Sequence, residues 1–143
     1  MTATVSELLT KTNEELDSLF AQGSRGEIPD GESKGTAIIA AGTSYGDEIA
    51  KLVELFAWQG KVFDAEHGFL RNYILPFGLK AIVAKVYYGE SWMDQKDCIV
   101  IDYSETSLVA SRVRDEIRQI QPGLFLGKVY WGEKALIHFT LEV

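Results

Sequence analysis

Arg112–Trp131 reads RVRDEIRQIQPGLFLGKVYW, and the period of its first half decides the fold. As a helix, Val113, Ile117 and Ile120 would form an apolar stripe, with Arg114 and Arg118 one turn apart. As a strand, Val113, Asp115, Ile117 and Gln119 face one way. Arg112, Arg114, Glu116 and Arg118 then face the other, as a cross-strand ion network. The apolar, aromatic runs on either side favour the strand. Gln121-Pro122-Gly123-Leu124 then reads as a tight turn, Pro presetting φ at its second position and Gly supplying a positive φ at its third.

Working outward, WQGKVFD, AIVAKVYYG, CIVIDYS, LFLGKVYW and ALIHFTLEV carry a period of two and are rich in Val, Ile, Tyr, Phe and Trp. GFLRNYILPFG, GESWMDQKD, PG and GEK read as the breaks between them. A break about every ten residues suits a meandering antiparallel sheet or barrel. Before this region, Thr4–Gln22 reads as one helix with a stripe of Val5, Leu8, Leu9, Leu16, Leu19 and Phe20. Gly23 ends it, and GSRGEIPDGESKG reads as loop. TAIIAA is a short strand or a helix entry, and Asp47–Ala57, with Ile49, Leu52, Val53 and Phe56, reads as a second helix. The expectation is one α+β domain over residues 1–143: N-terminal helices followed by a curved antiparallel sheet or barrel of about six to eight strands. Within it, residues 1–35 are a helical lead-in with a Gly-rich loop, and residues 36–143 a helix plus the barrel.

WQGKVFD after a helix, then hairpin strands, then DEIRQIQPGLFLGKVYW and a closing ALIHFTLEV, resembles the lipocalin-like small barrels of the calycin type over residues 58–143. Trp58-Gln59-Gly60 would be that family's tryptophan–glycine element, in reversed order. The resemblance implies a pocket for a small apolar ligand and carries over no catalytic residue. The rival is the cone-shaped α+β fold of the nuclear transport factor and polyketide cyclase type, with N-terminal helices and a bent C-terminal sheet.

Composition narrows the function classes. The chain has 143 residues, 46% of them hydrophobic and 24% charged, with a net charge of −7. That charge argues against a nucleic-acid partner, whose phosphates call for clustered Lys and Arg, and against docking on an anionic membrane. The first residues have no basic start followed by an apolar core, and no stretch approaches the ~20 apolar residues of a membrane span. A cytoplasmic location is expected. The single cysteine, Cys98, lies in an apolar run and reads as a buried small hydrophobe. No Walker loop, nucleophile elbow, dinucleotide fingerprint or metal-ligand spacing is present, so no cofactor and no metal are expected. The GTSYGDE turn has two glycines, but Asp47 and Glu48 beside it oppose an anion there. A homo-oligomer is compatible with the sequence.

The residues left to carry chemistry are few. Asp115, beside Val113 and Ile117 on the inner face, would be a buried carboxylate held by an arginine or a tyrosine hydroxyl. His138, on the last strand opposite Ile137 and Phe139, would be a general base if its face lines a pocket. Asp102 is a further carboxylate candidate, and His67 reads as a turn residue. Arg114 and Arg118 would clamp a polar ligand group, with pairing to nearby acids as the plainer alternative. Tyr87, Tyr103, Trp58 and Trp131 would line a cavity for a flat apolar ligand. The leading expectation is binding of a small hydrophobic or aromatic molecule in a barrel cavity. The alternative is a cofactor-free enzyme of the cyclase, isomerase or decarboxylase type acting on such a molecule.

Overall fold

Residues 112–131 form a β-hairpin in a computed structural model that describes residues 4–39, 58–74, 79–106 and 111–143. Gly123 sits at its tip with φ +78°, and Gln121 pairs with Leu124 across the turn. The elements in chain order are α1 (Val5–Leu8), α2 (Asn13–Gln22), β1 (Gly31–Ile38), β2 (Trp58–Asp64), β3 (Phe69–Ile74), β4 (Leu79–Glu90), β5 (Asp97–Asp102), β6 (Val113–Gln121), β7 (Leu124–Trp131) and β8 (Lys134–Glu142). Every strand is antiparallel to its sequence neighbours, and β1 closes onto β8 through Lys34↔Glu142 to Ile38↔His138. The result is a closed eight-stranded up-and-down barrel. Closure removes the free sheet edges that an open sheet must protect.

This is a mostly β architecture with a small helical part, rather than an even α+β mixture, and its closure excludes the bent open sheet of the rival fold. Three local expectations are corrected. The Thr4–Gln22 helix is two pieces, because Thr12 caps α2 with a reciprocal box. Thr12 Oγ1 accepts from Glu15 N, and Glu15 Oε1 accepts from Thr12 N. Leu9, between the pieces, is exposed instead of joining the stripe. Part of the Gly-rich loop is strand β1, which runs across position 35, and FLRNYI within an expected break is strand β3. The expected helix at 47–57 and the GTSYGDE turn lie outside the described residues.

Alternation sorts the side chains into two cores. Inside the barrel, Phe63, Leu70, Ala84, Val86, Ile99, Ile101, Val113, Ile117, Phe125, Val129, Ile137, Phe139 and Leu141 pack together. Outside, Leu16 and Phe20 of α2, with Leu8 of α1, cover Cys98, Val100, Leu124 and Leu126. Cys98 is buried there, and burial pushes its thiol up to about 12, so it is an inert packing group. Phe125, Val100 and Ile137 are buried as their runs suggest; Trp131 is only partly so. Where β7 meets β8, the Phe139 ring lies against Gly127, where a Cβ would come within 2.2 Å of it.

Candidate functional site

The outward charges of RVRDEIR hold a covering loop. Glu116 is fully buried although it points out of the barrel. Its carboxylate accepts from Ser91 Oγ at 2.6 Å, Trp92 N at 2.8 Å and Arg114 Nη2 at 3.0 Å. Arg118 binds Asp94 through two hydrogen bonds, of 2.7 and 2.8 Å. Its remaining N–H groups go to the carbonyls of Asp97, Phe20 and Lys96, so each donor of the guanidinium already has an acceptor. Arg118 holds Asp94 down to about 2, chiefly through those two hydrogen bonds. Residues 91–97 and the end of α2 are thereby pinned onto β6. Arg118 thus ties down a loop with every donor engaged, whereas Arg114 keeps some exposure.

Arg114 stacks over Trp92 at 4.2 Å, and Trp92 meets Tyr130 edge-on at 5.1 Å. Two shallow grooves meet at this stack on the outer wall, of about 330 and 420 Å³. Tyr87 lines one of them and donates to Asp102 Oδ2 at 3.1 Å, so Asp102 also faces outward. His138 faces outward as well. Its Nε2 lies 2.8 Å from Asp17 Oδ1 of α2, the same oxygen that accepts from Lys128 Nζ at 2.7 Å. His138 therefore joins α2 to the barrel wall and is on the opposite side of the sheet from Asp115. His67 pairs with Asp64 in the turn after β2. Trp131 packs against the interior core, and Trp58 opens β2 paired with Ile74, its side chain outside the described set.

Inside the barrel, the strand pattern brings together three polar side chains. Asp115 shares the inner face of β6 with Val113 and Ile117. Tyr103 follows the last residue of β5, and Lys61 shares the inner face of β2 with Phe63. Lys61 Nζ donates to Tyr103 Oη at 2.8 Å and lies 3.5 Å from Asp115 Oδ2. Tyr103 Oη is also 3.5 Å from Asp115 Oδ2. All three are at most 1% exposed. Lys61 further lies 5.6 Å from the centroids of both the Tyr103 and Phe139 rings. Ser33 Oγ fixes the backbone here by donating to the Lys61 carbonyl at 2.7 Å. The partner of Asp115 is thus a lysine together with the expected tyrosine hydroxyl, not an arginine.

Burial dominates the electrostatics of the cluster. It raises the Asp115 carboxyl to about 6, with the attraction of Lys61 pulling the other way, and it lowers the Lys61 ammonium. Asp115 Oδ1 is buried with no hydrogen-bond partner among the described residues. Asp115, raised to about 6, sits beside a phenol and a lysine whose charged form burial disfavours, so a proton can be held or relayed at the Asp115 carboxyl. Among the described residues no group of side chains is arranged to hold a metal ion.

The cluster has a defined place along the barrel. Asp115 lies in the first half of β6, Tyr103 just beyond the end of β5, and Lys61 at the midpoint of β2. Asp115 and Tyr103 are therefore near the end where the even-numbered strands begin, and Lys61 meets them from the middle of β2. The opposite end is closed by residues 24–30. Ser24 pairs with Gln119, the Arg25 guanidinium covers the Tyr88 ring at 3.8 Å, and Ile28 N donates to Tyr88 Oη at 3.2 Å. Asp30 Oδ1 accepts from Ala65 N at 3.0 Å, and Ile28 packs into the interior core.

Reading the sequence for acids and bases missed Lys61. Alternation in WQGKVFD was the available signal, since an inward Phe63 carries Lys61 inward with it. No protein-family model and no curated protein sequence matches the chain. Among solved structures, it is similar to a protein from Thermomonospora curvata known from its crystal structure, at 15% sequence identity and a TM-score of 0.65, over 93% of this chain and 88% of that one. That likeness is one of fold. No helix among the described residues is long and apolar enough to cross a membrane.

Proposed function

We propose that this protein binds a small hydrophobic or aromatic molecule inside its barrel, in the manner of a lipocalin-like carrier, with the polar end of the molecule at Asp115, Tyr103 and Lys61. The observation that carries the reading is the buried Lys61–Tyr103–Asp115 cluster near one end of a barrel whose other end is plugged by its own lead-in. An eight-stranded barrel is wide enough to be filled by side chains or to hold one small ligand. A buried ion pair is a weak source of stability, so its presence among described interior side chains that are mainly apolar favours a role in recognition. The closed up-and-down strand order supports the lipocalin-like assignment. Phenylnaphthylamine, a neutral dye that fluoresces in apolar surroundings, tests this. Saturable enhancement at one dye per chain is expected. A linear, unsaturable response, with native mass spectra that show no added mass, overturns the reading.

A second reading, a cofactor-free enzyme acting on such a molecule, is favoured by one observation. The Asp115 carboxyl at about 6 sits beside Tyr103, as a general acid–base needs. In that reading Asp115 moves the proton, and Tyr103 and Lys61 stabilise developing negative charge on the ligand oxygen. Conversion of a bound molecule by the wild type but not by Asp115→Asn would separate enzyme from carrier.

A further inference from the structure

The unpaired oxygen of Asp115 specifies the ligand more closely. We infer that the molecule held in the barrel carries a neutral hydroxyl group, a phenol or an alcohol, whose O–H donates to Asp115 Oδ1. This rests on the binding reading above and names the chemical class of its ligand.

Two facts lead to it. Asp115 Oδ2 is engaged by Lys61 and Tyr103, while Oδ1, on the same fully buried carboxyl, has no donor among the described residues. Buried carboxylate oxygens are nearly always hydrogen-bonded, and an orphan acceptor carries its full desolvation penalty until a donor arrives. An O–H group supplies that donor.

The charge balance then selects among donors. Lys61 and Asp115 present a cationic and an anionic group 3.5 Å apart, and the described interior side chains around them are mainly Phe, Leu, Ile and Val. A ligand carboxylate near Oδ1 would meet a like charge and must either take up a proton or force one onto Asp115. A ligand ammonium would meet Lys61 in the same way. Neither ion gains from a net field what it loses by leaving water, whereas a neutral hydroxyl loses little and completes the acceptor. The apolar wall takes the rest of the molecule.

Three probes of one size and shape test this: naphthol, naphthoate and methylnaphthalene, titrated at pH 7.5 against wild type and against the Lys61→Met/Asp115→Leu double variant. Wild type should bind naphthol about tenfold more tightly than methylnaphthalene, the scale expected when a buried acceptor gains its donor. Naphthoate should bind more weakly than naphthol. In the double variant the preference for naphthol should vanish while methylnaphthalene still binds. Equal binding of naphthol and methylnaphthalene to wild type, or tighter binding of naphthoate, overturns the hydroxyl assignment and leaves the binding reading standing. Failure of every probe, and of phenylnaphthylamine, overturns both.

Discussion

Replacing the interior ion pair by apolar side chains should not weaken the fold. Asp115 rises from 3.8 to about 6 on folding, roughly two pH units at about 1.4 kcal/mol each. Ionising it inside the barrel therefore costs about 3 kcal/mol at neutral pH, even with the attraction of Lys61 included. Lys61→Met alone removes that attraction and should destabilise by about 3–5 kcal/mol at pH 7.5; Asp115→Leu alone removes the carboxylate that offsets the burial of the Lys61 ammonium and should also destabilise. Together, Lys61→Met/Asp115→Leu removes both buried charges and should be neutral or up to about 4 kcal/mol more stable than wild type. The pH dependence follows from the direction of each shift. Because the folded value of Asp115 lies above its unfolded one, the folded state binds the extra proton between 3.8 and about 6, and stability falls as pH rises through that window. Lys61, lowered from 10.5, acts the other way at alkaline pH, where stability recovers towards 10.5. Urea unfolding of wild type and double variant across this range should thus show a difference that widens as pH rises from 3.8 to about 6 and narrows again in alkali. A double variant less stable than wild type by more than about 2 kcal/mol at pH 7.5 would refute this reasoning, since the pair would then be holding the barrel together.

Three further outcomes can be checked by chemical denaturation. Asp94→Ala strips Arg118 of its carboxylate and should cost more than about 1 kcal/mol. Asp94 lies near 2 when folded, so its contribution is complete above 3.8 and is lost as pH falls through about 2; the variant should lack that part of the acid transition. Gly127→Ala drives a methyl into the Phe139 ring and should destabilise by about 1–3 kcal/mol, with a changed aromatic circular dichroism signal as the ring moves. Gly123→Val forces a β-branched residue to φ +78° and should cost more than about 1 kcal/mol, with unchanged circular dichroism in the far ultraviolet.

The barrel was readable where its strands have one apolar face. In β6, Val113, Asp115 and Ile117 alternate with charged residues, and the Pro-Gly turn fixes the hairpin that follows. Strand β1 was hidden for a packing reason. Its Gly35 and Ala37 pair with Leu141 and Phe139, whose bulk takes the space inside, so the strand shows no alternation of large apolar residues. Among the described side chains of β3, Leu70 packs into the interior while Phe69 and Arg71 are exposed, and the segment reads as loop. The inward place of Asp115 was legible because alternation puts it beside Val113 and Ile117, where a carboxylate demands a partner, and Tyr103 was named only as a lining aromatic. Lys61 was not legible, because a lysine ordinarily sits in water. The work of Arg118 and Glu116 was illegible for a different reason. It depends on residues 91–97 folding over the outside of β6, a long-range contact that no local period encodes.

The measurement closest to the central claim is the side-chain carboxyl carbon resonance of Asp115, followed by NMR through a pH titration with and without naphthol. The free protein should show a midpoint near 6. Bound naphthol, donating to the ionised carboxylate, should shift that resonance and move its midpoint downward, leaving the exposed carboxyls of Glu32 and Glu133 unmoved. An Asp115 midpoint unchanged by saturating naphthol, with the shifts falling on surface carboxyls instead, would contradict the account.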